Sequence, residues 1–467
     1  MDELQKPQTF RDTVSTVDVE GHRRWMYAHQ PHGKLYNYRT ALTIVFLLVF
    51  FSMPLIKING TPFFQLDFLN TKFILFGKIF WPTDFFIFAI GMISFILFVS
   101  LFTVVYGRLF CGWVCPQTIF MDMIFRRIEF WIEGSANEQK VLDRSPWNFN
   151  KIWRKALKHS IYLILAFLIA NTFLAYIIGA DKLMNDIREP LTEHISLLMG
   201  LVVFTLIFYS VFAFVREIVC TTICPYGRLQ GVLLDPDSIV VAYDHKRGET
   251  RGKFNKSKER TIGDCIDCNQ CVNVCPTGID IRNGTQLECT NCTACIDACN
   301  FMMEKVGLPT GLIRYTSENG ITNNTKLHMT TKITAYTVVL FVLVAVMAFL
   351  LITRKDVDAT IVRASGQLYQ ERPDEKLSNL YNFKVLNKTD RNVTLFLRPD
   401  GFTGEIRLIG VDEIRLKKAG QASATFFILL PKKNIKERKT KLKIDIFDKA
   451  NGKKIETVST TFLGPFI

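Results

Sequence analysis

No cysteine occurs before residue 111 or after residue 299 in this chain of 467 residues, so no disulfide can hold the C-terminal region. Charge is also scarce. Asp, Glu, Lys and Arg make up 21% of the residues against 49% hydrophobic, which excludes a disordered chain and sits badly with a purely soluble enzyme. Acidic residues are the scarcer sign, 43 against 57 basic, for a formal charge of +14. Basic residues placed between apolar spans mark membrane topology rather than a nucleic-acid surface, and no nucleic-acid partner is expected. Histidine occurs only 7 times. His22, His29 and His32 lie near Trp25 and Tyr27, where ordinary interfacial residues are a better reading than a metal site. A Gly-rich phosphate loop, a Ser-His-Asp set and a haem C-x-x-C-H motif are all missing, which removes the sequence basis for phosphate cradling, serine hydrolysis and c-type haem attachment.

What is abundant is apolar. Phe alone occurs 39 times, and mean hydropathy is +0.17. A bilayer crossing takes roughly 20 apolar residues. Residues 85–106, 161–178 with their flanks, 195–215 and 333–352 reach that length, and 41–56 reaches it when counted from Tyr38 to Ile58. Five spans are therefore predicted. The aromatic-rich segment 63–81 is interrupted by Asp67, Asn70, Lys72 and Lys78 and reads as interfacial rather than as a sixth span. The first apolar run begins too far in for an ordinary cleaved signal peptide.

Lys and Arg counts alternate along the chain. Residues 1–40 hold 6, 58–83 hold 2, 107–158 hold 9, 181–193 hold 2 and 216–332 hold 14. The positive-inside rule then puts the N-terminus and the 107–158 and 216–332 loops in the cytoplasm, and by parity the tail outside. Arg354 and Lys355, just past the last span, disagree locally with that parity.

The chain repeats internally. Residues 107–116 read G-R-L-F-C-G-W-V-C-P and residues 216–225 read R-E-I-V-C-T-T-I-C-P, so C-x-x-x-C-P recurs at an offset of 109 residues. The first four spans become two helix pairs, each ending in a cysteine pair: Cys111 and Cys115, then Cys220 and Cys224. The spacing places both thiols of a pair on one helical face, with Pro116 and Pro225 disturbing or ending the helix. Inert packing is the plain alternative, made less attractive by the duplication.

A second repeat lies in the long basic loop. Cys265, Cys268, Cys271 and Cys275 are followed at an offset of 24 by Cys289, Cys292, Cys295 and Cys299, each set spaced C-x2-C-x2-C-x3-C. This is the bacterial two-cluster ferredoxin pattern, in which the fourth cysteine crosses to the other cluster. Cys265, Cys268, Cys271 and Cys299 are thus expected around one [4Fe–4S] cluster, and Cys275, Cys289, Cys292 and Cys295 around a second. Structural zinc would use two C-x-x-C pairs separated by a longer loop. Asn300 stands where a Pro would close the second motif. The basic stretch 245–260 reads as a solvated linker, with a lipid or partner surface as its alternative.

Beyond residue 360 the pattern has period two. Residues 381–397 read as a hairpin with a polar turn at 387–392, and 441–447 and 457–463 as further strands with a turn at Asn451-Gly452. About 100 such residues suggest an immunoglobulin-like sandwich. The N-x-T matches at Asn387 and Asn392 read as turn residues.

Taken together, the two C-x-x-x-C-P helix pairs, the ferredoxin, the fifth span and the sandwich resemble the cytochrome c oxidase accessory proteins called CcoG, FixG or RdxA. The resemblance implies the following domains: a cytoplasmic N-terminal segment (1–40), four transmembrane helices in two pairs (41–225), a cytoplasmic loop (226–332) with the ferredoxin at about 255–305, a fifth transmembrane helix (333–353) and a periplasmic immunoglobulin-like domain (354–467). It implies a multi-pass protein of the bacterial inner membrane and a membrane-bound oxidoreductase that reduces Cu(II) to Cu(I) for maturation of the cbb-type oxidase. Oxidase assembly factors or copper carriers would be its partners, and the electron donor stays unidentified. Two [4Fe–4S] clusters and copper are the implied metals. Cys111, Cys115, Cys220 and Cys224 are carried over as the redox or copper set. Two alternatives stay open: quinol-to-periplasm electron transfer of the NapH type, and a structural assembly scaffold.

Overall fold

The computed structural model describes residues 22–465 apart from 59, 69–71, 191–194, 255–261, 324–330 and the single positions 365, 367, 373, 374, 390, 412 and 436. Part of the basic stretch 245–260 lies outside the described residues. The chain folds into two compact units. One gathers the residues up to Ser52 with Ile90–Leu174 and Met184–Ala345; the other gathers Met53–Ala89, Ala175–Leu183 and Val346–Ile467.

Five helices are long and apolar enough to cross a membrane: α1 (Lys34–Ser52), α2 (Phe85–Tyr106), α3 (Phe149–Ile178), α4 (Ile195–Ser210) and, after the ferredoxin helix α5 (Ala294–Val306), α6 (Thr331–Ile352). Large apolar side chains stand exposed along them, such as Phe95 and Phe98 on α2 and Phe341 and Phe349 on α6. A surface of that kind needs lipid or protein to cover it, and helices apolar all round are what a bilayer requires. The chain is a polytopic membrane protein. The first span starts at Lys34, earlier than the apolar run from 41, because its first turns bury Tyr36 and Arg39 against the protein.

In the ferredoxin region the strands β4 (Val240–Tyr243) and β5 (Ile313–Thr316) pair antiparallel and flank the cysteine loops. The apolar centre here is Val241, Ile279, Ile281, Ile296, Met303, Leu312 and Ile313. Asn300 has a structural reason: α5 runs straight through Cys299, which a proline at 300 would prevent, and the Asn300 side chain accepts a bond from the Gly311 N–H at 2.8 Å.

In the second unit, the segment read as interfacial is a small antiparallel meander, β1 (Phe64–Asp67), β2 (Lys72–Leu75) and β3 (Lys78–Phe80). Its tight turn has positive φ at both Phe76 and Gly77, the conformation a two-residue hairpin favours. The C-terminal domain is an immunoglobulin-like sandwich. One sheet has the order β10 (Glu405–Ile409), β12 (Gln421–Pro431), β8 (Lys376–Asn387), β6 (Val357–Arg363), with the short β7 (Gln370–Glu371) also on β8; the other has β11 (Ile414–Leu416), β9 (Val393–Asp400), β13 (Lys439–Asp448), β14 (Lys454–Leu463). Tyr381, Phe383, Leu395, Phe426, Ile444 and Phe462 are fully buried between the sheets.

The predicted hairpin over 381–397 is a correction. β8 and β9 belong to different sheets, so residues 387–392 carry the chain between sheets instead of turning it back on itself. Both strands alternate toward the same core, which is why their pattern mimics a hairpin. Asn387 drives the corner. It is fully buried, its amide donates to the Arg391 and Lys417 carbonyls, and its oxygen accepts from Thr389. The pair β13–β14 does form a hairpin, with Gly452 at φ +66° in its turn.

Arg354, the residue that disagreed with the parity of the charges, is not a free topology signal. It pairs with Asp84 at 2.7 Å and lies over the Phe80 ring, and Lys388 reaches the same carboxylate at 2.6 Å.

Candidate functional site

The two ferredoxin motifs share a backbone. Asp267 and Asn269 have φ of +52° and +54°, and Asn291 and Thr293, 24 residues on, have +55° and +67°. Left-handed residues between the cysteines curl each loop so that its thiols face inward. Cys265, Cys268, Cys271 and Cys299 line one cavity. Cys275, Cys289, Cys292 and Cys295 line a second, and Cys271 lines both. Among the described residues no disulfide joins any of the 12 cysteines. Burial pushes the thiols of Cys271, Cys289 and Cys299 up to about 12 and raises those of Cys292 and Cys295. Metal binding to such thiols would release their protons. Buried thiols around two cavities fit the donor set of iron–sulfur clusters.

The C-x-x-x-C-P pairs also share a backbone. Gly107 and Arg216, one residue in each half, have φ of +55° and +56°. The N–H of Cys115 donates to the Phe110 carbonyl at 2.9 Å, and the N–H of Cys224 to Val219 at 2.7 Å, each closing a turn five residues wide. Cys115 and Cys224 are extended, and new helices start at Pro116 and Pro225. The expectation of two thiols on one regular helical face is thereby corrected: the following proline pushes the second cysteine out of the helix.

The two halves touch. Cys111 Sγ donates to Gln230 Oε1 at 2.9 Å, Arg108 donates to the Cys220 carbonyl at 3.4 Å, and Phe110 meets Tyr226 edge to face. Cys111 lies in the electrostatic reach of Cys115 and Cys224, and Cys220 in that of Cys111 and Cys115. Burial pushes Cys111 up to about 11 and Cys220 up to about 12. Among the described residues, no three His, Cys, Asp or Glu side chains converge on one metal ion.

The first half docks on the ferredoxin. A Cβ on Gly112 would meet the Thr290 carbonyl oxygen at 2.5 Å and the Asn291 carbonyl at 2.8 Å. Trp113 Nε1 donates to the Tyr315 hydroxyl at 3.0 Å, which donates to the Asn291 carbonyl at 3.2 Å, and Arg108 donates to the Leu287 carbonyl. The second half approaches by a cavity. Cys220, Thr118, Asp122, Pro276, Thr277 and Thr290 line it together, and those last three also wall the cavity of Cys275, Cys289, Cys292 and Cys295.

Comparison with known proteins follows this geometry. A family model described as a 4Fe-4S dicluster domain matches residues 215–318, and one described as a 4Fe-4S binding domain matches 88–134. A third, described as an IG-like fold at the C-terminal of FixG, matches 347–465. Protein RdxA of Cereibacter sphaeroides is 35% identical over 348 residues, 73% of this chain and 73% of its own. The chain belongs to the FixG/RdxA family. Protein RdxB of the same organism is 30% identical, covering 80% of this chain and 82% of its own, and nitrogen fixation protein FixG of Rhizobium meliloti is 34% identical, covering 65% and 60%. This FixG/RdxA-family chain is a membrane-bound iron–sulfur electron-transfer protein.

Sequence reasoning missed the charges beneath the thiol pairs. Glu129 accepts from Arg216 at 2.7 and 3.2 Å and from Lys158 at 3.3 Å, and all three are buried. The chain of ion pairs continues through Glu133, Lys155 and Asp143 on one side, and through Glu217, Arg126, Asp122 and Arg39 on the other. Arg23 and Arg216 both lie over the Trp25 ring, each 4.6 Å from its centre. Burial would raise Glu129, but Arg216 and Lys158 hold its carboxyl down at about 2. A signal was present: Glu129 and Glu133 are one helical turn apart, as are Lys155 and Lys158, but those residues sit in a loop whose basic charges served only to set topology. The backbone N–H of His29 donates to the Asn273 carbonyl at 2.8 Å, and His29 borders a cavity that Cys292 also lines.

Proposed function

We propose that this protein reduces Cu(II) to Cu(I) in the bacterial inner membrane, supplying the form of copper that a cbb-type haem–copper oxidase needs for maturation. The observation that carries the reading is the wall of Pro276, Thr277 and Thr290, common to the cavity under Cys220 and to a ferredoxin cavity. Cys265, Cys268, Cys271 and Cys299 hold one [4Fe–4S] cluster, and Cys275, Cys289, Cys292 and Cys295 the other. Bound clusters of this kind supply electrons one at a time. The protein's own residues do the rest. The cysteine loops and the helix α5 fix the cluster thiolates. Gly112 and Trp113 hold the first thiol pair against the second cysteine loop. Cys111, Cys115, Cys220 and Cys224 receive copper, since Cu(I) prefers soft thiolates. Each Cu(II) takes up one electron, and no bond to hydrogen need form.

The charge alternation between loops supports a cytoplasmic ferredoxin and a periplasmic C-terminal domain. Copper carriers or oxidase assembly factors are the partners of this reading. The C-terminal FixG match favours it over quinol oxidation of the NapH type. Replacing Cys111 and Cys220 together by Ser tests it. Cu(II) reduction by purified protein should fall at least tenfold with cluster absorbance retained. Unchanged reduction would remove the membrane thiols from the path.

A further inference from the structure

Position 108 in the first half of the C-x-x-x-C-P repeat is an arginine, and the matching position of the second half, at the same offset of 109, is Glu217. Both are buried. Glu217 is surrounded by guanidinium groups, Arg126 at 3.4 Å, Arg23 at 3.6 Å and Arg216 at 3.8 Å. Arg108 has no such compensation. It donates to the Leu287 and Cys220 carbonyls and reaches the Cys111 thiol, and among the described residues no Asp or Glu pairs with it.

A buried charge without a counter-ion is strongly disfavoured, so the folded protein has to supply an anion near Arg108. Cys111 is not that anion in this arrangement. The Thr103 hydroxyl donates to the Val99 carbonyl at 2.8 Å and so accepts from Gln230 Nε2 at 3.2 Å, which turns Gln230 Oε1 toward Cys111 to accept its S–H at 2.9 Å. On the other side of Arg108 lies the second cysteine loop. Arg108 holds the Leu287 carbonyl, and Cys289 is within its electrostatic reach. Its neighbours fix the approach: a Cβ on Gly107 would meet the Asn291 side chain at 3.3 Å, and one on Gly112 the Thr290 carbonyl oxygen at 2.5 Å. Four thiolates outweigh the charge of a [4Fe–4S] core and leave a net anion, and nearby charge is one of the levers on the potential of such a cluster.

The arginines around the first cluster carry carboxylates of their own. Arg282 borders the cavity of Cys265, Cys268, Cys271 and Cys299, but Asp267 and Asp280 hold it at 2.6 and 2.7 Å. Arg247 and Arg251 are paired with Asp264 and Glu249. Arg39, in reach of Cys292, is likewise paired with Asp122 at 3.5 Å. A paired guanidinium contributes little net field, because the opposite charge beside it cancels most of it.

We propose that Arg108 is the counter-ion of the cluster held by Cys275, Cys289, Cys292 and Cys295, and that its unpaired charge makes this cluster the more easily reduced of the two. The proposal rests on the cluster assignment above and needs no copper. Reduction adds one electron to the cluster and no proton, and Arg108 stays a guanidinium throughout. The consequence is directional. An electron shared between the clusters settles on the one whose cavity shares a wall with that of Cys220.

The test is a potentiometric titration of full-length, cluster-loaded protein in detergent, followed by electron paramagnetic resonance. Unaltered protein, Arg108→Gln and Arg108→Lys are compared, and Cys289→Ser and Cys265→Ser identify which signal belongs to which cluster. In the unaltered protein the signal that Cys289→Ser disturbs should appear first as the potential falls. Arg108→Gln should lower the midpoint of that signal by about 59 mV or more, a tenfold change in a one-electron equilibrium, and leave the other nearly in place. Arg108→Lys keeps the charge and should hold the midpoint close to the unaltered value. A first signal that belongs to the Cys265 cluster overturns the proposal, as does an unmoved midpoint in Arg108→Gln. If Arg108→Gln fails to load its clusters, the order of reduction in the unaltered protein decides. Absence of iron–sulfur signals from the unaltered protein overturns the cluster assignment as well.

Discussion

Gly107 and Arg216 occupy the same place in the two halves of the repeat and both have positive φ, +55° and +56°. Glycine adopts that conformation freely; arginine does so at a cost of roughly 1–3 kcal/mol. The strain is tolerated because the guanidinium is buried against Glu129 and Glu217 and stacked on Trp25. Making the two halves alike should therefore harm the protein. Arg216→Gly removes the strain but leaves Glu129 buried with less compensation, an exchange in which loss of a buried partner costs about 3–5 kcal/mol. A net fall in thermal stability in detergent is expected, partly recovered by adding Glu129→Gln. A rise in stability would mean that the ion pair contributes little.

Acid should act through the same carboxylate. Glu129 is held at about 2, below its ordinary 4.5, so the unfolded chain binds its proton more readily than the folded one. Its contribution is present above pH 4.5 and is lost as pH falls toward 2. The unaltered protein should lose stability over that window more steeply than Glu129→Gln. Equal slopes would show that other carboxylates govern acid unfolding.

Gly112 should tolerate no side chain. A methyl group there would lie 2.5 Å from the Thr290 carbonyl oxygen, and forcing it in costs about 1–3 kcal/mol. Gly112→Ala should lower the unfolding temperature and loosen the cluster held by the loop Cys289–Cys295, visible as iron loss. Gly200→Ala, where nothing lies within 4 Å, is the control and should do neither.

Iron analysis should give about eight irons per chain, two clusters of four. Cys265→Ser and Cys289→Ser should each disturb a different cluster, giving distinct paramagnetic spectra. Zinc in place of iron would overturn the assignment.

A periplasm-dependent reporter fused after Ile352 should be active. An active cytoplasmic reporter at that position would reverse the topology.

Some of this architecture is legible in the residues alone. Long apolar runs announce the spans, because a bilayer demands a length and composition that little else does. The spacing of the eight ferredoxin cysteines anticipates which thiols share a cavity, since the loop geometry travels with the motif. Pairing partners in the sandwich are less legible: residues 381–397 alternate correctly, yet period two fixes which face is buried and not which neighbour a strand takes. The docking of Gly112 on Thr290 and the ion chain around Glu129 are long-range contacts. Their residues are individually unremarkable in sequence, and only packing reveals that their charges are buried. Arg216 is the sharpest case, because only alignment of the two halves in space shows an arginine doing what its counterpart glycine does.

The most direct measurement is a single turnover. Full-length protein is reduced anaerobically, freed of excess reductant, and mixed with Cu(II) in the presence of a Cu(I)-specific chelator. The clusters should be oxidised as Cu(I) appears, one Cu(I) for each electron lost, and Cys111→Ser with Cys220→Ser should slow this at least tenfold. Clusters that stay reduced in the presence of Cu(II) would contradict copper reduction by this protein.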